Sequence, residues 1–235
     1  MSGRRTRRAM SVAMAGLLLA ITAQAQFWTE KKPEQWSKKD CQKLLSDSPW
    51  AKTWERSAGA SASRATPVRA TYVAQLWSVR TVRQAIVRIA QLDPFYRALS
   101  PEQKKAQDAE AERFIDTEAR DTVVVQVVFA TNSSAGERDL RVEWQKLSLE
   151  VLKASASLEG PTGKVAPVGY TKPAVEQREF QLVFPRTLNG KPIVTESDAF
   201  LRVEFVHPAK GILTEQHVVI EFSPKEMLLN GKLTY

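Results

Sequence analysis

Downstream of Asp121 the apolar residues of this 235-residue chain recur with a period of two, and that pattern limits the fold more than any other feature. Phe180, Leu182 and Phe184 alternate with Gln181 and Val183; Leu201, Val203 and Phe205 alternate with Arg202 and Glu204; Val218, Ile220 and Phe222 alternate with Val219 and Glu221. In an extended chain successive side chains point to opposite faces, so each run predicts a strand with one face in the core. Val123 to Phe129 is apolar at both parities and predicts a strand buried on both sides. Gly160-Pro161-Thr162-Gly163 turns the chain into Lys164 to Thr171, Asn189-Gly190-Lys191-Pro192 makes the next turn, and Asn230-Gly231 makes a tight one near the end. Seven or so strands at this spacing predict an α+β fold that is mainly an antiparallel β-sandwich. Its order would be Greek-key, of which the immunoglobulin-like sandwich is one form.

The helices punctuate this pattern rather than alternate with it. Val68 to Val79 reads as a first strand, with Tyr72 and Trp77 favouring extended backbone. Thr81 and Gln84 have capping-box spacing and predict a helix over about 82–92 with Val82, Ile86 and Ile89 as its apolar stripe, ended by Asp93-Pro94. Ser100-Pro101 with Gln103 predicts a second helix over about 101–119. That helix carries Asp108, Glu110, Glu112, Asp116 and Glu118. Glu112 and Asp116, four apart, have the spacing of a metal pair, but Lys104–Asp108 and Asp116–Arg120 predict ion pairs on a solvated face, and no metal site is assigned. Leu140, Trp144, Leu147 and Val151 fit a helix, whereas Ser148 to Leu158 alternates like a strand; a short helix followed by a strand is expected there. Ser223-Pro224-Lys225-Glu226 predicts a one-turn capped helix. Residues 68–235 thus form one β-sandwich-type domain with two inserted helices.

The other end of the chain reads as an address. Arg4, Arg5, Arg7 and Arg8 precede an apolar run from Met10 through Ile21 that ends at Ala23-Gln24-Ala25, the arrangement of a cleavable signal peptide over residues 1–25. Cleavage is expected between Ala25 and Gln26, giving a periplasmic or secreted protein. The apolar run falls short of the roughly 20 residues a bilayer demands, so no transmembrane segment is expected after cleavage. Met10 and Ser11 after the arginines make a poor twin-arginine signal, and no cysteine stands at the cleavage point to take a lipid. The net charge of +8 owes half its value to the four signal arginines. What remains is mild, and with no motif of interleaved aromatic and basic residues nucleic acid is excluded as a partner.

An exported protein with a single cysteine has no internal disulfide and must hold together by packing. Ser37 and Asp40 fit a capping box, with Trp36 and Cys41 as the flanking hydrophobic staple, so Cys41 is expected in the core beside Leu44 and Leu45. Trp28, Trp36, Trp50 and Trp54 concentrate four of six tryptophans before residue 57. Ser48-Pro49 reads as the restart of a helix that would place Trp50 and Trp54 on one face. Residues 26–56 would then form a Trp-rich helical arm, tethered by the Ala/Ser-rich stretch 57–67 as a linker.

Candidate chemistry is sparse. Glu204 and Glu221, with His217 and Arg202 on the same outward strand face, are the one group of residues that could act as acid and base on a glycoside or ester; cross-strand ion pairing explains them equally. Trp28, Trp50, Trp54 and Trp77 are candidate stacking platforms for a cell-wall glycan or small ligand, or anchors of the arm. His207, before Pro208, reads as a strand-end residue. Two histidines and one cysteine are too few for a zinc site, and the sequence has no HExxH, no G-x-S-x-G, no Gly-rich phosphate loop and no haem-attachment motif, so no cofactor is assigned.

Trp36-Ser37, Cys41, Leu44-Leu45 and Ser48-Pro49-Trp50 near the start, together with Phe222, Pro224, Glu226-Met227, Gly231-Lys232-Leu233 and Tyr235 at the end, resemble a family of uncharacterised exported bacterial proteins. The resemblance spans most of the mature chain and implies export; it brings no activity and no functional residues. The expected function is therefore an exported, non-catalytic binding or interaction module whose partner is an envelope or secreted protein. The alternatives are a glycan or small-ligand binder and a hydrolase.

Overall fold

A computed structural model describes residues 26–57, 69–117, 119–208 and 217–235. The expected signal segment and the expected linker, apart from Ser57, lie outside them. In chain order the elements are α1 (Phe27–Glu30), α2 (Lys38–Ser46), β1 (Ala51–Ser57), β2 (Arg69–Leu76), α3 (Arg80–Leu92), α4 (Pro94–Arg97), α5 (Pro101–Asp116), β3 (Thr122–Thr131), α6 (Ser134–Lys146), α7 (Leu149–Ser155), β4 (Ala156–Gly160), β5 (Gly163–Val165), β6 (Gly169–Thr171), β7 (Glu179–Pro185), β8 (Thr187–Leu188), β9 (Lys191–Pro192), β10 (Leu201–Val206), β11 (His217–Phe222), β12 (Leu228–Leu229) and β13 (Lys232–Leu233).

The architecture is α+β, with every strand pair among the described residues antiparallel. A five-stranded sheet runs β1-β2-β3-β7-β6 and a four-stranded sheet runs β11-β10-β4-β5. The period-two runs explain how the sheets meet. Tyr72, Ala74 and Leu76 of β2, Val123, Val125, Val127 and Phe129 of β3, and Phe180, Leu182 and Phe184 of β7 are buried on the inner face of the first sheet. Leu158 of β4, Leu201, Val203 and Phe205 of β10, and Val218, Ile220 and Phe222 of β11 are buried on the second, and all join one core. Each large side chain so buried contributes roughly 1.5–3 kcal/mol, which is how the chain holds its fold with Cys41 as a free, buried thiol.

Several local expectations are corrected. Trp54 lies in a strand and not in a helix: Ser48 Oγ accepts from the Trp50 amide at 3.2 Å, and a Ser48↔Ala51 bridge reverses the chain straight into β1. There Trp54 sits opposite Tyr72, and Ser57 opposite Arg69. Seven backbone pairs with β2 outweigh the weak i,i+4 preference of two tryptophans. The end of the Trp-rich segment, from Ala51 to Ser57, is consequently a strand of the sheet beside β2. Helix α3 starts at Arg80, with Val79 as N-cap and no side-chain cap; Thr81 is buried inside the first turn. The segment expected as one helix and a strand holds two helices, because Ser148 Oγ accepts from the Val151 amide and caps α7 before β4 begins. The capping boxes at Ser37–Asp40 and Ser100–Gln103 are present; at Ser223 a 3-10 turn over Pro224–Glu226 forms without a side-chain cap.

Both Asn-Gly turns have the left-handed backbone that a two-residue hairpin requires, at Asn189-Gly190 between β8 and β9 and at Asn230-Gly231 between β12 and β13. The second hairpin folds back on the start of the chain: Trp50 Nε1 donates to Thr234 O and Oγ1 at 3.0 and 3.1 Å. The start and the end of the described chain thus meet through Trp50 and Thr234. No helix among the described residues is long and apolar enough to cross a membrane.

Candidate functional site

Register places the expected acidic cluster on the outer face of the four-stranded sheet. Leu201, Val203 and Phe205 point inward, so Arg202 and Glu204 point outward; Arg202 lies opposite Glu221 on β11 and opposite Glu159 on β4. Lys164 of β5, opposite Glu159, completes the row. Arg202 Nη2 reaches Glu221 at 2.8 Å and Nη1 reaches Glu159 at 3.2 Å, while Lys164 Nζ lies 2.6 Å from Glu204 and 3.2 Å from Glu159. Hydrogen bonds to Glu204 and then Glu159 hold the Lys164 ammonium above its ordinary pKa, and the bond to Glu221 does the same for Arg202. The five side chains form an alternating-charge ladder across four strands, the arrangement that stabilises opposed charges on a sheet. Glu159 and Lys164 complete it and escaped the sequence reading, because only strand register reveals that they stand beside Glu204.

His217 is exposed at the start of β11, opposite Val206. It shares an open groove of about 370 Å³ with Ser157, Lys164 and Glu204. Ser157 Oγ is 3.5 Å from Glu204 Oε2, a long contact to a carboxylate already committed to Lys164. A nucleophile needs a base in hydrogen-bond reach and that base needs an orienting partner; among the described residues no hydrogen bond joins His217 to Ser157 or Glu204. Among the described residues the ion pairs of this arrangement fasten neighbouring strands together.

The tryptophans divide. Trp50 is fully buried and is excluded as a stacking platform. Trp28 packs edge-on against Phe27 at 5.0 Å and Trp50 at 5.7 Å, Trp54 tilts over Tyr72 at 5.9 Å, and Trp77 meets Phe114 at 5.8 Å while donating to Gln75. All three are half-buried with protein on one side. Two carboxylates of the acidic helix α5 are likewise engaged: Asp116 pairs with Arg80 of α3 at 2.8 Å, and Asp108 accepts from Tyr96 and Gln91. The expected Lys104–Asp108 pair is replaced, since Lys104 donates to Arg97 O. No three metal-ligating side chains cluster among the described residues.

Sequence reasoning passed over one polar pair in the core. His207 is fully buried, and its Nδ1 lies 2.6 Å from the Tyr72 hydroxyl. Burial drives the phenol's pKa far upward, opposed slightly by the neighbouring Trp144 indole, so the hydroxyl stays neutral and donates. The neutral imidazole then carries its proton on Nε2, which is buried without a partner among the described residues. Burial alone lowers the His207 pKa to about 4. The signal was in the sequence: continuing the alternation Leu201, Val203, Phe205 by one step points His207 inward.

The chain matches no model of a known protein family, and no curated protein or solved structure matches it at a significant level.

Proposed function

We propose that this chain is an exported, non-catalytic interaction module that binds a protein partner of the envelope or the extracellular space. One observation carries the reading. Glu204 and Glu221 are paired with cations in the ladder, while the outer face of the five-stranded sheet keeps Val73, Val124, Val128 and Val183 partly exposed. Val168, half exposed, immediately precedes the edge strand β6. Apolar β-branched side chains on an outward sheet face suit a protein surface of complementary shape better than a sugar or a small ion. Export rests on the n-region, apolar run and cleavage pattern of residues 1–25.

The strand order supports an immunoglobulin-like Greek key as the finer description. Setting β1 aside, β2-β3-β7-β6 over β11-β10-β4-β5 follows the A-B-E-D and G-F-C-C′ order of such sandwiches. Helices α3 to α5 would then be an insertion between the first two strands, and α6 and α7 one between the second and third. Folds of this kind host many functions, so the surface and not the topology has to be tested.

The test is a crosslinked pull-down from the producing organism's envelope with residues 26–235, in the wild type and in Val128→Lys and Val183→Lys. Specific capture by the wild type that both lysine variants lose supports the reading. Capture that is indifferent to both, or a hydrolytic activity that Glu204→Gln abolishes without unfolding the protein, overturns it.

A further inference from the structure

A cavity of about 390 Å³ lies between α3, α5 and the 3-10 turn over Pro33–Gln35, and its size falls within the range of small-ligand sites. The two helices run antiparallel past it and are tied at both ends. Arg80 at the start of α3 meets Asp116 at the end of α5 at 2.8 Å. Gln91, near the other end of α3, donates to Asp108, which also accepts from the Tyr96 hydroxyl at 2.7 Å. These ties occupy Arg80, Asp108 and Asp116. Between them Val87 on α3 and Ala111 and Ile115 on α5 line the cavity with apolar surface.

Three charged side chains on the lining are left over. Arg88 donates through Nε to the carbonyl oxygen of the buried Trp36 at 3.0 Å, a tie that orients the guanidinium and leaves both Nη nitrogens without a partner among the described residues. Glu112 of α5 and Glu34 of the 3-10 turn make no ion pair and no side-chain hydrogen bond among the described residues. The three do not pair with one another either, although they share one cavity. Both glutamates are exposed and Arg88 is half-buried, so a molecule in the cavity can reach all three. Over the whole lining two cations face four carboxylates, and the field inside favours a ligand of net positive charge.

We infer that this cavity binds a free basic α-amino acid such as lysine. One uncommitted guanidinium and two uncommitted carboxylates are complemented by one carboxylate and two cationic groups, which is the charge pattern of such a molecule. The planar fork of Arg88 takes the ligand carboxylate through its two Nη nitrogens. Glu34 and Glu112 take the α-ammonium and the side-chain cation, and the methylenes between them lie against Val87, Ala111 and Ile115. The site shares no residue with the sheet-face reading, and either can fail without the other.

The experiment follows the backbone amide signals of residues 26–235 by NMR while L-lysine is added at neutral pH and constant ionic strength. Saturable shifts are expected at Arg88, Glu112 and their neighbours in α3 and α5. Norleucine, which lacks the side-chain ammonium, and the diamine cadaverine, which lacks the carboxylate, should each bind about tenfold more weakly, the scale of one charge-assisted contact. Glu112→Gln alters an exposed side chain without a partner, so it should weaken L-lysine by a similar factor and leave the thermal midpoint unchanged. Arg88→Gln should remove the advantage of L-lysine over cadaverine, which destabilisation alone does not do. Lysinamide added to the wild type probes the same contact without altering the protein and should also bind about tenfold more weakly than L-lysine. No saturable shift, L-lysine binding no tighter than norleucine, cadaverine or lysinamide, or an affinity unchanged in both variants overturns the site.

Discussion

Replacing His207 with glutamine should remove a specific part of the protein's acid sensitivity. In the folded chain the imidazole is fully buried against Tyr72, and its pKa is lowered to about 4 by that burial. In the unfolded chain it returns to about 6.5. Above that value the ring is neutral in both states and contributes no pH dependence. As pH falls below it, the unfolded chain takes up a proton that the folded chain refuses. Stability then drops by about 1.4 kcal/mol per pH unit until the folded ring also titrates, a total of roughly 3 kcal/mol. Glutamine keeps an oxygen that can accept from the Tyr72 hydroxyl and does not titrate.

The assay is urea unfolding followed by tryptophan fluorescence, in wild type and His207→Gln, at steps from about pH 7.5 down to about pH 4, the window in which the two protonation equilibria separate. Carboxylates titrate in both proteins and cancel in the comparison. The wild-type stability should fall toward that of the variant, or below it, by roughly 3 kcal/mol across the window. Two curves that stay parallel to within a few tenths of a kcal/mol would show that the folded ring takes up its proton near the ordinary pKa, and would refute the burial argument.

Trp50→Ala should cost about 3–5 kcal/mol in the same unfolding experiment, since it empties a fully buried site and breaks the tie to Thr234, whereas Trp54→Ala should cost clearly less. Cys41, whose thiol pKa is pushed up to about 11 mainly by burial, should resist a disulfide reagent at neutral pH and react once the protein is unfolded in urea. Gly160→Ala should destabilise by roughly 1–3 kcal/mol, measured as a lowered thermal midpoint, because the added Cβ would clash with the Ile193 carbonyl oxygen.

The core was legible wherever the period-two pattern was unbroken. Phe180, Leu182 and Phe184, and the matched runs on β10 and β11, sit on the faces that alternation assigns. Cys41 lies in the core that its hydrophobic staple predicts. Legibility failed where a tertiary partner overrode a local signal. Trp50 and Trp54 have helical spacing, but β2 offers a complete row of backbone partners and a strand forms. Ser148 reads as part of an alternating run until its hydroxyl caps α7. The charged side chains were harder still. Arg202, Glu204 and Glu221 announce a row because their strands are consecutive, yet Glu159 and Lys164 join it only through register. Arg83 and Arg186 are far apart in the chain, and no periodicity relates them.

The charge ladder bears on where function resides. On the four-stranded sheet each carboxylate has a cation within 3.2 Å and each cation bridges carboxylates, so adding a ligand would break as many ion pairs as it made. Such a surface gains nothing from binding a charged group. Beside α3, Arg83 and Arg186 are held instead by main-chain oxygens, Arg83 by those of Trp77 and Ile115 and Arg186 by those of Ala119, Thr122 and Tyr235, so these guanidiniums tie loops to helix ends.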